Sequence, residues 1–112
     1  MDIRIQELKR CELIRVSGQI DSANAPDLQD SLLDLIEAGK RNFVVNLREV
    51  DYVSSAGLTA LLAARVKLRR RVPPGDVVIS EITPSLLETF ELVGFHHLFR
   101  FFDGDLDAVG SF

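Results

Sequence analysis

The chain has 112 residues, 46% of them hydrophobic and 27% charged, with a formal net charge of -4 at pH 7. That length suits one packed core rather than two, and the composition is that of an ordinary globular chain. The negative balance offers no electrostatic footprint for nucleic acid, and the single cysteine, Cys11, excludes an internal disulfide.

In chain order, Ile3, Ile5 and Leu8 mark a first strand, and Leu13, Val16 and Ile20 punctuate a second from Cys11 to Ile20. Only Lys9 and Arg10 separate them, so an antiparallel hairpin is expected with the first strand at the sheet edge. Cys11 reads as a small residue at the head of a strand, not as a nucleophile. Met1-Asp2-Ile3-Arg4 shows no signal-peptide pattern, and no apolar run approaches the length of a membrane span. A cytoplasmic location without direct membrane insertion is the expectation.

Asp21-Ser22-Ala23-Asn24-Ala25-Pro26 is a loop with capping candidates ahead of a proline tolerated in the first helical turn. Leu28, Leu32, Leu35 and Ile36 form the buried stripe of the helix that follows, and Gly39 is placed to end it. Phe43 to Leu47 is a nearly unbroken apolar run, the pattern of a strand covered on both faces. A helix from about Ser55 to Arg70 comes next, with Leu58, Leu61, Leu62 and Val66 spaced along one face. Its basic cluster, Lys67 with Arg69, Arg70 and Arg71, complements the helix dipole and reads as a solvated helix end.

Pro73, Pro74 and Gly75 break the chain before a short apolar strand at Val77-Val78-Ile79. Thr83-Pro84 opens a third helix carrying Leu86, Leu87 and Phe90, closed near Gly94. Phe99, Phe101 and Phe102 suggest a last strand, and Asp105 to Val109 one final helical turn. Strands alternating with helices after a hairpin predict a single α/β domain over residues 1–112. Its sheet is mixed but mostly parallel, with an N-terminal antiparallel hairpin and three to four packed helices.

The chemistry concentrates at Asp51-Tyr52-Val53-Ser54-Ser55-Ala56-Gly57-Leu58, where a buried strand gives way to a long helix. Backbone N–H groups there lack intrahelical partners, and the dipole favours negative charge, so a phosphate on Ser55 would be well accommodated. A helix-capping serine and a glycine required by close packing are the plainer reading of the same residues, and the two are compatible.

Other chemistries fail on the residues. The order Ser55, Asp76, His96 matches that of an α/β-hydrolase triad, but Val53 stands where the nucleophile elbow needs glycine. His96 and His97 are adjacent, so they diverge where an i, i+4 pair could chelate. Asp103-Gly104-Asp105-Leu106-Asp107 opens like a calcium loop, but Ala108 occupies its glycine position. The serine loop has one glycine and no lysine, too little for a phosphate cradle. No enzyme activity, metal site or cofactor is expected.

Taken together, the chain resembles the STAS domain, the module of bacterial anti-sigma-factor antagonists and of sulfate-transporter tails. The resemblance is carried by three segments and by Gly94-Phe95 near the end. Val16-Ser17-Gly18-Gln19-Ile20-Asp21 resembles a strand ending in G-x-(Leu/Ile)-Asp, Val44-Val45-Asn46-Leu47 the central strand, and Tyr52-Val53-Ser54-Ser55-Ala56-Gly57-Leu58 the signature loop. The most specific of the three is the loop. The family's regulatory serine, two residues before the signature glycine, falls on Ser55. Ser54 and Asn46 stand where the family often has aspartate, and Asp21 matches the acid of the neighbouring loop.

The resemblance implies partner switching. The unphosphorylated protein binds an anti-sigma factor that is also a serine kinase and releases the sigma factor. Phosphorylation of Ser55 cancels the binding, and a serine phosphatase is a possible further partner. Asp21, Ser54, Ser55, Ala56, Gly57, Leu58 and Thr59 are the expected partner-binding residues, and the free protein is expected to be a monomer. The alternative that the resemblance leaves open is an accessory subunit of a membrane transporter, of the lipid ABC or anion-transporter type, that never meets a kinase.

Overall fold

In the computed structural model, which describes residues 1–112, β1 (Asp2–Glu7) and β2 (Glu12–Ile20) form the antiparallel hairpin. Ile3 lies opposite Val16 and Ile5 opposite Ile14. The connection, Leu8 to Cys11, is closed by the Leu8 N–H donating to the Cys11 carbonyl at 2.9 Å. Helix α1 (Ala25–Glu37), strand β3 (Asn42–Val53), helix α2 (Ser55–Arg69) and strand β4 (Asp76–Ser80) follow. Helix α3 (Pro84–Leu92), a 3₁₀ turn at Phe95–His97, strand β5 (Phe101–Phe102) and helix α4 (Asp105–Gly110) complete the chain. The sheet runs β1-β2-β3-β4-β5, with β2 through β5 parallel.

Strand parity divides the core. Ile14, Phe43, Val45, Val77 and Ile79 face one way and pack with Leu28, Leu32 and Ile36 of α1, Leu61, Ala64 and Leu68 of α2, and Leu86 and Phe90 of α3. Leu13, Val44 and Val78 face the other way and meet Cys11 and Ala108 of α4. Both faces of the central strands are covered, which explains their unbroken apolar runs. Phe90 takes Phe99 and Phe101 edge-on, with ring centroids 6.0 and 5.8 Å away, so the aromatic tail closes the α3 side of the core.

Two expectations need correction. The strand expected at Phe43 to Leu47 runs on to Val53, because beyond Asn46, where pairing with β4 ends, Glu49 to Val53 continue to pair with β2. Only Val50 and Val53 of that extension are buried, so its apolar signal is weak. On α2 the inward face is Gly57, Leu58, Ala60, Leu61, Ala64 and Leu68. Leu62 and Val66, read on one helix face with Leu58 and Leu61, are only half-buried: Leu62 packs against the edge of the core and Val66 lines the outer face.

A polar network ties α4 to the sheet. Asn46 Nδ2 donates to Glu81 Oε2 at 2.8 Å and to Asp105 Oδ1 at 2.9 Å, and Ser80 Oγ donates to Asp105 Oδ1 at 2.7 Å. Arg15 and Arg48 neutralise the two carboxylates from outside. An aspartate at position 46 would replace the shared donor by a third carboxylate.

At the start of β2, Glu12 is 5% exposed and its Oε2 has no hydrogen-bond partner. Burial pushes its carboxyl above the usual glutamate range; Lys40 counters this in part and Glu7 adds to it. The folded chain therefore holds this proton more tightly than the unfolded chain, and stability falls as pH rises from the unfolded pKa, about 4.3, through the raised folded value. Glu12→Gln is expected to melt at a higher temperature than the wild type at pH 7. The gap should close as the pH drops toward 4, and thermal melts across that range measure it.

Candidate functional site

The parallel pairing of Ile20 with Val53 brings the ends of β2 and β3 side by side, so the loops that follow them are neighbours. The Ser54 N–H donates to the Ile20 carbonyl at 2.7 Å and fastens one loop to the other. Ser54 is the N-cap of α2: its backbone is extended, and its Oγ accepts from the Gly57 N–H at 3.1 Å. Ser55 is the first helical residue, is exposed, and its hydroxyl has no partner among the hydrogen bonds of the chain. The serine pair thus divides its roles, one hydroxyl held by the backbone and the next facing solvent.

Gly57 is present because nothing larger fits. A Cβ there would lie 2.6 Å from Ile20 Cγ2 and 2.8 Å from Val53 Cγ2. The first turn of α2 therefore rests directly on the two strand ends. Gly57 and Leu58 face the core, whereas Ser55 and Thr59 are exposed and Ser54 and Ala56 half-buried. Of the residues expected to meet a partner, Gly57 and Leu58 position the turn and the others form its surface.

Asp21, expected to meet a partner, also has a local task. Its Oδ1 accepts from the Ala23 N–H at 2.9 Å and the Asn24 N–H at 2.8 Å, while its own N–H donates to Asn24 Oδ1 at 2.9 Å. This is a reciprocal side-chain to backbone turn in the loop before α1, whose own N-cap, Asn24, makes no side-chain cap hydrogen bond. Asn24, whose Nδ2 also donates to the Gln19 carbonyl, is the partner that the sequence reading missed. Its spacing, three residues after an aspartate and just before a helix, is the available signal. Asp21→Ala removes the acceptor of two N–H groups and is expected to lower stability by about 1 kcal/mol, whereas Asp21→Asn keeps an oxygen acceptor and should melt near the wild type. A partner titration of Asp21→Asn then reads the carboxylate's part in recognition separately from the turn.

The hydrolase arrangement does not assemble. Asp76 pairs with Asn42 at the opposite end of the sheet from Ser55 and is flanked by Arg65 at 3.1 Å and Arg100 at 3.7 Å. His96 and His97, expected to diverge, lie ring to ring with centroids 3.8 Å apart because they sit on a 3₁₀ turn, but no group of three or more His, Cys, Asp and Glu side chains is placed to hold a metal ion. Burial and the neighbouring Glu12 push the Cys11 thiol up, away from the reactive thiolate. No helix is long and apolar enough to cross a membrane.

The pattern of the STAS domain matches residues 2–107, nearly the whole chain. The chain belongs to the STAS domain family. It is 37% identical over 97 residues to BtrV of Bordetella bronchiseptica, whose name describes it as a candidate anti-sigma factor antagonist; the match covers 87% of this chain and 82% of that one. Among solved structures it is similar to an anti-sigma factor antagonist from Mycobacterium paratuberculosis, with TM-score 0.86 and 22% identity over 98% of this chain and 92% of that one. It is also similar to the Bacillus cell fate determinant SpoIIAA in its phosphorylated form, with TM-score 0.76 and 15% identity over 98% of each chain. These two likenesses establish the shared STAS fold. In that fold Ser54 to Thr59 lie at the carboxyl end of the central strand.

Proposed function

We propose that this STAS domain is an anti-sigma factor antagonist that works by partner switching, with Ser55 as the phosphorylated residue. The observation that carries the reading is the division of roles in the serine pair: Ser54 Oγ is taken by the Gly57 N–H, and Ser55 presents a free hydroxyl at the first position of α2. The match to a relative named for antagonism over most of both chains supports it. The unphosphorylated surface of Ser54, Ser55, Ala56 and Thr59, with Asp21 beside it, docks on an anti-sigma factor that is also a serine kinase and frees the sigma factor. A phosphate on Ser55 is accommodated by the helix N-terminus, so the fold does not change. It adds roughly -1.5 to -2 charges to the contact surface, which penalises docking. A serine phosphatase would reset the switch.

The test is a binding screen of purified chain against the anti-sigma factors of its source organism, beginning with any small ATP-binding protein encoded beside it. Each is then tried as a kinase with Mg-ATP and the product mapped by fragment mass spectrometry. Tight binding and phosphate on Ser55 are expected. Copurification with a membrane permease and no binding to any anti-sigma factor would favour the transporter-subunit reading.

A further inference from the structure

A shallow groove of about 660 Å³ runs along the outer face of α2. Thr59, Leu62 and Val66 line its length, and Lys67, Arg70 and Arg71 its far end. Ser55, Thr59, Leu62 and Val66 are spaced at i, i+4, i+7 and i+11, so the groove continues the helix face that begins at the exposed serine. Leu62, Ala63 and Val66 are only half-buried there, and no other element of the chain lines the groove.

The charges at its far end are unpaired. Arg4, Arg15, Lys40, Arg48, Arg65 and Arg100 each lie within 4 Å of a carboxylate, whereas Lys67, Arg69, Arg70 and Arg71, like Lys9, Arg10 and Arg41 elsewhere, have no such partner; at the end of α2, Lys67, Arg70 and Arg71 adjoin an apolar strip. This is so although acidic residues outnumber basic ones, 17 to 13. The helix dipole accounts for cations in the last turn, Lys67 and Arg69. It does not account for the apolar strip leading to the C-cap, Arg70, and to Arg71.

We propose that the partner contact extends from Ser55 down this face and that its occupant is an acidic, amphipathic segment of the anti-sigma factor. Apolar side chains of that segment seat on Leu62, Ala63 and Val66, and its carboxylates meet Lys67, Arg70 and Arg71. The inference rests on the reading of Ser55 as a contact residue. An anionic lipid surface would meet the same cations, but a chain of net charge -4 is repelled from it, and lipid gives no role to the continuity with Ser55.

The probe is the anti-sigma factor identified by the screen above. It is titrated at low and high salt with the wild type, Ser55→Asp, Leu62→Gln/Val66→Gln and the charge reversal Lys67→Glu/Arg70→Glu/Arg71→Glu. The reversal is expected to weaken binding by more than about thirtyfold and to flatten its salt dependence. The apolar pair should weaken it by about tenfold with the salt dependence kept; the reversal should melt near the wild type and the apolar pair somewhat below it, because Leu62 also packs against the core, so Val66→Gln alone is read beside it. If the reversal melts early, Lys67→Ala/Arg70→Ala/Arg71→Ala is read in its place. Groove variants that fold and bind like the wild type, while Ser55→Asp does not, overturn the docking surface and leave the Ser55 reading intact. Groove variants that lose binding while Ser55→Asp keeps it overturn both the switch and the extension of the contact from Ser55. Loss of binding to phosphatidylglycerol vesicles by the reversal, with unchanged affinity for the anti-sigma factor, overturns the proposal in favour of lipid.

Discussion

Ser55→Asp is expected to melt within a few degrees of the wild type and to lose affinity for the anti-sigma factor by more than about a hundredfold. The two effects separate because they arise in different surroundings. In the free protein, position 55 is exposed at the first turn of α2, where a carboxylate gains about 0.3–1 kcal/mol from the helix N-terminus. In the complex the same carboxylate must give up water against a surface shaped for a neutral hydroxyl, and an unpaired buried charge costs about 3–5 kcal/mol. The second quantity is several times the first, so binding responds and stability does not. Ser55→Ala should bind like the wild type and accept no phosphate. Thermal melts and calorimetric titration of both variants measure the contrast.

Gly57→Val should do the reverse and damage the fold itself. Even a single Cβ at this position would fall 2.6 and 2.8 Å from the methyl groups of Ile20 and Val53, both fully or almost fully buried. Overpacking of this kind costs about 1–3 kcal/mol for added methylenes, and a β-branched side chain against two strand ends belongs at or above the top of that range. At several degrees per kcal/mol for a domain near this size, the midpoint should fall by roughly 12 °C. Lifting the first turn of α2 also displaces Ser54 from the Ile20 carbonyl, so partner affinity should fall with it. A midpoint equal to the wild type would show that the turn has room to move and that its close seat on β2 and β3 does not set the position of Ser55.

Gly57 also shows what the sequence makes legible. A glycine after two serines at a strand-to-helix junction is readable as a close approach of backbones, and the alternation of helices and strands prescribes the parallel sheet. What the sequence does not display is which of two adjacent hydroxyls the backbone takes. That depends on the extended conformation at Ser54, which turns its Oγ to the Gly57 N–H. Asp21 was placed in the correct loop, but its pairing with Asn24 is a three-dimensional reciprocity of side chain and backbone. The depth of burial along α2 is hidden for a different reason. Leu62 and Val66 satisfy helical periodicity as well as Leu58 and Leu61 do yet are only half-buried, and the small residues Gly57, Ala60 and Ala64, which carry little hydrophobic signal, mark which side lies on the sheet. Asn46 could be seen only as an aspartate-like shape. Its reason for being an amide is the pair of carboxylates, Glu81 and Asp105, brought to it from 35 and 59 residues away.

The central claim is that one phosphate on Ser55 releases the partner without disturbing the fold. The most direct measurement is the affinity of the chain for its anti-sigma factor before and after stoichiometric phosphorylation, with the modified residue located by fragment mass spectrometry. The expected result is phosphate on Ser55, an unchanged melting temperature and binding weaker by more than about a hundredfold. Phosphate on Ser54 alone, or equal affinity of the two forms with Ser55 fully modified, would contradict it.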